Sequence, residues 1–315
     1  METLVRSASI ELWTWCECLH LRGAVSSASL RLVAWPRGLR QLVVGGALET
    51  SMAEVSWPAS LQSLAFGHSF NLPLLPRVAW PASLQQLSFG YWFNQPIVGV
   101  EWPASLRQLS FDCRFDQPVS GIIWPTSVQQ ISFGYLFNKP IAEVVWPGAL
   151  QRLTFGANFD QPITGVAWPA SLQRLLFGKF FDQPLAGVVW PTSLQQLSFG
   201  DEFNQPIVEA AWPASLQRIC FGLSFDQPIA EVVWPASLQQ LSFGDDFNEP
   251  IAGVAWPASL RQLSFGASFN QPITGVAWPA CLQWLSFGFD FNQAIDGVAW
   301  PSTLQRLTRD GISLL

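Results

Sequence analysis

The sequence predicts a mainly β solenoid: a right-handed stacked coil with a parallel sheet on its concave face and few or no regular helices. Three observations carry that expectation. The dipeptide Trp-Pro occurs thirteen times between Trp35 and Trp300, at 22-residue intervals except for one gap of 23 between Trp57 and Trp80. A fixed period of this size marks units that bury a core only by stacking on one another. The copies also carry L-x-x-L-x-F, with Val44 and Arg309 in place of Phe in the first and last, and in the copy at 84–90 Leu87 and Phe89 alternate with Gln86 and Ser88. That period of two is the signature of a strand buried on one side. Finally, eleven copies continue with Phe followed by Asn or Asp, from Phe70-Asn71 to Phe291-Asn292.

The segments follow in order. Residues 1–34 hold partial echoes of the strand, Ile10-x-x-Trp13-x-Trp15 and Cys16-x-x-Leu19-x-Leu21, off the 22-residue register, and are expected to form an irregular amino-terminal cap. Terminal units of a stacked array are atypical because they must shield its core. Residues 35–310 supply about 12–13 repeats, and 311–315 form a carboxyl-terminal tail. Arg309 stands where an inward Phe belongs, so the stack is expected to stop there.

Within a repeat, the two Phe positions should stack on their equivalents in neighbouring coils and build aromatic ladders. A second alternation, Val100-Glu101-Trp102, suggests a short extended run on the opposite wall with Trp pointing inward. The Pro after each Trp fixes φ and removes a donor, making a corner. The slot after the strand admits only Gly, Asp112 or Asp310, which predicts positive φ there. The Gly before Val carries no such requirement, because Glu54, Glu143, Glu209 and Glu231 replace it. The Asn/Asp ladder is read as a device for satisfying backbone donors at the turn.

These residues also carry a resemblance. F-N/D-Q-P-I, a corner Pro and S-L-Q-x-L-x-F together are similar to the FNIP repeat, a 22-residue relative of the leucine-rich repeat; WPASLQQL resembles the L-P-x-x-L segment of short bacterial leucine-rich repeats. The match spans about Trp35 to Asp310, with Trp before Pro where an aliphatic residue is commoner. The resemblance implies a leucine-rich-repeat-like curved solenoid that binds proteins. Some FNIP proteins carry an amino-terminal F-box that links them to a ubiquitin ligase; the 34 residues before Trp35 are short for one, so this chain would be the substrate-recognition part of such a ligase only if an F-box partner is supplied.

Composition narrows the function. Charged residues make up 12% of the chain and the net charge is −6, so no basic field favours nucleic acid or an anionic membrane. Every repeat is interrupted by Pro, Gly or charge, short of the roughly 18 apolar residues of a membrane span. With five irregularly spaced Cys and no signal-peptide core, a cytoplasmic location is the expectation. Only His20 and His68 are present, which disfavours catalysis, and no cofactor motif occurs. Cys16-x-Cys18-x-His20 is the sharpest metal-like pattern, but it lacks a fourth ligand, so no metal is assigned.

A non-catalytic protein-interaction scaffold is therefore expected, its partner a protein of unstated identity. The outward strand residues Gln86, Gln108, Gln130, Arg152, Arg174 and Arg218 form the candidate recognition row, unless their amides serve mainly to stabilise each other. The variable pairs after Gly add Tyr91, Trp92, Tyr135, Leu136 and Phe180. The rival is a regular surface for a repetitive target such as a glycan, a polymer or ice.

Overall fold

The computed structural model describes residues 16–21, 30, 33–45, 52, 55–74 and 78–314. The chain divides into two compact units, Met1–Lys139 with Glu143–Leu150, and Pro140–Ala142 with Gln151–Leu315. The first holds β1 (Cys18–Leu21), β2 (Gln41–Val44), β3 (Ser63–Phe66), β4 (Gln86–Phe89), β5 (Gln108–Phe111) and β6 (Gln130–Ser132). The second holds β7 (Arg152–Thr154), β8 (Arg174–Leu176), β9 (Gln196–Ser198), β10 (Arg218–Cys220) and β11 (Gln240–Ser242). It continues with β12 (Gln262–Ser264), β13 (Trp284–Phe287), β14 (Arg306–Arg309) and β15 (Ile312–Ser313). The fold is a parallel-strand β solenoid built from one strand per coil. Register follows the repeat, with Gln86 opposite Gln108 and Leu87 opposite Leu109 in the first unit, and Gln240 opposite Gln262 in the second.

The alternation read from the sequence is the alternation of burial. Leu87 and Phe89 are buried while Gln86 is exposed. Two Phe ladders fill the core. Phe89 stacks on Phe66 and Phe111 at 5.5 and 5.4 Å, Phe93 on Phe70 and Phe115 at 5.7 and 6.0 Å, and Phe89 on Phe93 within the coil at 4.2 Å. The second unit repeats the arrangement, with Phe199 on Phe221 at 5.4 Å and Phe203 on Phe225 at 6.1 Å. Large stacked rings give each short coil the apolar area that three- or four-residue strands alone do not bury.

The tryptophans close the opposite wall. Trp124, Trp146, Trp190 and Trp234 are buried, whereas Trp102, Trp168 and Trp212 are half-buried. Several meet the Phe ladder edge-on, as Trp102 does with Phe89 and Trp146 with Phe133, each at 6.4 Å. Their Nε1 atoms, from Trp57 to Trp278, are buried without an acceptor, so the ring acts here as apolar filling. Among the described residues no strand of the sheet lies on this wall. Successive backbones bend there instead, with Trp168 N donating to Val166 O at 3.1 Å.

Polar ladders hold the coils in register. Asn94 Oδ1 accepts from Asp116 N at 2.9 Å and from Gln117 Nε2 at 3.0 Å, and Asn204 Oδ1 does the same with Asp226 N at 3.0 Å and Gln227 Nε2 at 2.9 Å. The Asn/Asp row is thus a backbone-satisfying device. A second ladder comes from the Ser of W-P-A-S, whose hydroxyl donates to the carbonyl one coil back, as Ser105 does to Leu84 O at 2.6 Å and Ser215 to Leu194 O at 2.7 Å.

Glycine differs from the sequence expectation. The slot after the strand does not take positive φ, except at Asp310. Glycine is needed there for proximity: a Cβ on Gly134 would overlap the Asp112 carbonyl, and one on Gly200 the Gly178 carbonyl. Positive φ falls instead on the Gly before Val, for example +84° at Gly99 and +79° at Gly165. The i to i+3 bond of that turn survives without it, since Ala210 N donates to Ile207 O at 3.1 Å although Glu209 occupies the glycine position without positive φ. Glu54 lies outside the described residues.

Both ends add to the sheet. Cys18 and Leu19 pair with Gln41 and Leu42, so the echo at Cys16-x-x-Leu19-x-Leu21 contains a strand in register with β2. The echo at Ile10, Trp13 and Trp15 lies outside the described residues. At the other end Asp310 and Gly311, with φ of +47° and +75°, turn the chain back so that β15 runs antiparallel to β14. Asp-Gly with two positive φ values is the residue pair of a tight hairpin, and this hairpin follows the exposed Arg309 where the Phe ladder ends.

Candidate interaction surface

Alternation puts every second strand residue on the outer face of the sheet. In the first unit Gln86, Gln108 and Gln130 are register neighbours on β4, β5 and β6, with Gln86 and Gln130 exposed. No hydrogen bond joins their side chains among the described residues, so the amides remain available to a ligand. In the second unit Arg152 and Arg174 are opposite one another on β7 and β8, and Gln196 separates Arg174 from Arg218; all three arginines are exposed. The next outward row is where direct bonds occur, as between Ser264 Oγ and Ser242 Oγ at 2.8 Å.

The variable pairs after Gly sit on a backbone that varies little. Trp92 N donates to His68 O at 3.0 Å, Arg114 N to Tyr91 O at 3.0 Å and Leu136 N to Cys113 O at 2.8 Å. On that frame four side chains of the first unit form one cluster. His68 stacks on Tyr91 at 4.6 Å, its Nε2 accepts from Trp92 Nε1 at 3.0 Å, and the Arg114 guanidinium lies 4.4 Å from the Trp92 ring. Trp92 is 44% exposed, so the cluster is an open aromatic and cationic platform rather than a core. Tyr135 is exposed and Leu136 half-buried, but no ring contact joins them to Tyr91 or Trp92. Phe180 belongs to the second unit, where Lys179 Nζ lies 5.4 Å from its ring.

His68 and Arg114 were not among the candidate residues, yet both complete the platform. The signal was in the repeat: His68 follows Gly67 as Tyr91 follows Gly90, so it occupies the first variable slot one coil earlier. In the second unit the sheet face also carries a shallow depression of about 140 Å³, lined in part by Arg218, Cys220, Gln240, Ser242, Gln262 and Trp284. Arg306 lies 5.4 Å from the Trp284 ring.

The metal-like pattern does not assemble. Cys18 and His20 are exposed on β1, and Cys16 Sγ contacts the Cys18 carbonyl at 3.1 Å. No group of three potential ligands occurs among the described residues.

A family model for the FNIP repeat matches residues 93–136, 137–180, 181–224, 225–268 and 247–290, more than half of the chain. The chain belongs to the FNIP repeat family. No curated protein matches it. Among solved structures it is similar to CroV588, described as a novel circular leucine-rich-repeat protein, at 30% identity and a TM-score of 0.54, covering 91% of this chain and 55% of that one. It also resembles TLR13 in a complex with ssRNA13, at 13% identity and a TM-score of 0.67, covering 97% of this chain and 52% of that one. The second likeness is one of fold. This FNIP chain spans about half the length of each. No described helix is long and apolar enough to cross a membrane.

Proposed function

We propose that this FNIP chain is a non-catalytic protein-interaction scaffold. Its partner, a protein, binds the outer face of the sheet and the aromatic loops beside it. The observation that carries the reading is the His68, Tyr91, Trp92 and Arg114 platform, where His68 and Trp92 stay exposed over the half-buried Tyr91 and Arg114, on a hydrogen-bonded frame beside the uncommitted glutamines of β4–β6. Trp, Tyr and Arg are the residues in which interface hot spots are enriched. A regular surface for a repetitive target fits less well, because the outward row is broken by Arg152, Arg174, Arg218 and Trp284. The non-catalytic reading is supported by His68, whose Nε2 is occupied by Trp92. A cytoplasmic setting is the companion proposal.

The test is capture of partners from native extract with wild type and with Tyr91, Trp92, Tyr135, Leu136 and Phe180 all changed to Ser. A defined protein retained by wild type and lost by the folded variant supports the scaffold. Equal capture by both moves the interface away from these loops. Capture of glycan or polymer alone supports the repetitive-surface alternative, and recovery of ubiquitin-ligase subunits points to the substrate-recognition role.

A further inference from the structure

The outer face of the sheet differs in charge from the rest of the chain. Over β2–β14 the two outward strand rows and the residue just before each strand, from Arg40, Gln41 and Val43 to Gln305, Arg306 and Thr308, contain seven arginines and no Asp or Glu, whereas Glu17 precedes β1. The whole chain has 22 acidic residues, so a carboxylate-free face must be set against a net charge of −6. Five of the seven arginines lie in the second unit, and they form no ion pair among the described residues. Arg152 and Arg174 are direct register neighbours. Like charges opposite each other on adjacent strands repel, and no carboxylate of the outward rows lies between them.

We infer that the sheet face of β7–β14 binds an acidic segment of the partner protein, with Arg152, Arg174 and Arg218 as carboxylate receptors. This rests on the scaffold reading and adds the chemistry of its partner. Arginine presents a planar fork that holds a carboxylate through two parallel hydrogen bonds. Arg218 uses Nε on Cys220 Sγ at 3.3 Å, which leaves its terminal nitrogens without a hydrogen bond. From β7 to β10 is about 14 Å at the usual strand spacing, a run that an extended segment of about five residues covers. Neutral side chains then fall over the intervening Gln196.

The same face suits a nucleic acid poorly. A single strand needs aromatic platforms for its bases as well as cations for its phosphates. Trp284 is the exposed aromatic of the outward rows here, and Arg306 already lies against its ring. Asp201, Glu202, Asp245 and Asp246 follow β9 and β11, so the acidic segment is one confined to the arginine rows, whereas a polyanion long enough to reach these loops is repelled.

The experiment is fluorescence anisotropy on the full chain with a labelled peptide of about ten residues alternating Glu and Ser, long enough to cross these strands. Its Gln-for-Glu counterpart and a single-stranded RNA of similar length are the comparison probes. The Glu peptide is expected to bind, to weaken with added salt, and to lose about tenfold or more in affinity in Arg152→Gln/Arg174→Gln/Arg218→Gln. The double variant Arg37→Gln/Lys179→Gln, which removes two cations outside these rows, should bind like wild type. No binding of the Glu peptide, equal binding of the Gln peptide, tighter binding of RNA, or an unchanged triple variant each overturns the inference. None of those results bears on whether the aromatic loops of the first unit retain a protein, so the scaffold reading stands or falls separately.

Discussion

The loops that follow β4–β6 and those that follow β9, β11 and β13 share a backbone and present opposite chemistry. After β4–β6 the variable slots hold Tyr91, Trp92, Cys113, Arg114, Tyr135 and Leu136; after β9, β11 and β13 they hold Asp201, Glu202, Asp245, Asp246, Phe289 and Asp290, mostly acidic although Phe289 is exposed. Yet Arg114 N reaches Tyr91 O at 3.0 Å and Glu202 N reaches Lys179 O at 2.9 Å, so the same coil-to-coil bond supports both. The array separates what must be constant from what is free to vary. Stability resides in positions that face the neighbouring coil, and the proposed recognition would fall to those that face solvent.

The sharpest test of that separation is at the glycines after the strands. Gly134→Ala in the first unit and Gly200→Ala in the second should each cost more than about 5 kcal/mol, because the new methyl meets a backbone carbonyl that no rotamer change can move aside. In a stacked array such a loss opens the chain at that coil. Asp112 shows that one coil does accommodate a side chain, exposed and accepting from Cys113 N at 2.7 Å, so the cost depends on the local fit. Gly165→Ala is the control: it has open space and only a positive φ to lose, for about 1 kcal/mol. Urea unfolding of the three variants would break the comparison if Gly165→Ala proved the worst.

One step down in size, Phe93→Ala and Phe203→Ala should each cost about 3–5 kcal/mol, since both rings are fully buried in a ladder. Asn94→Ala and Asn204→Ala should each cost about 1–3 kcal/mol by orphaning the backbone donors of Asp116 and Asp226. Matched losses in the two units, read by urea unfolding, would sharpen the view that the scaffold is one device repeated. A mismatch of more than about 1 kcal/mol within either pair would mean that the loops contribute to coil stability.

How much was legible in the sequence follows the same division. The strand, the Phe ladders and the Asn/Asp row were readable because each depends on a period, and periods survive in a single sequence. The role of the strand-end glycine was misread. Restriction to Gly and Asp signals either positive φ or close approach, and only coordinates show which backbone lies a coil away. The Asp310-Gly311 hairpin is not part of the repeat period, so its strong Asp-Gly turn signal stands outside the pattern that specifies the coils. The serine ladder of W-P-A-S is hard to read for a related reason: a hydroxyl bond to the previous coil leaves no trace beyond a preference for Ser, which Gly38, Ala149 and Cys281 break. As for the site, the row and loop positions were legible as positions. Their clustering was not, since His68, Tyr91, Trp92 and Arg114 come from three successive coils and meet only when those coils stack.

The smallest stability effects should accompany the largest differences in recognition. Trp92→Ser in the first unit and Asp201→Ser/Glu202→Ser in the second alter side chains that point away from the ladders, and each should change stability by no more than about 0.5 kcal/mol. Trp92→Ser also frees His68 Nε2 and removes the surface against which Arg114 lies, so the platform loses its centre while the Trp92 N to His68 O bond remains. A captured protein partner should therefore be lost with Trp92→Ser and kept with the acidic-pair variant. If instead the acidic pair is required and Trp92 is not, the aromatic edge is ordinary surface and the recognition chemistry belongs to the second unit, where the arginine face and its acidic margin lie together.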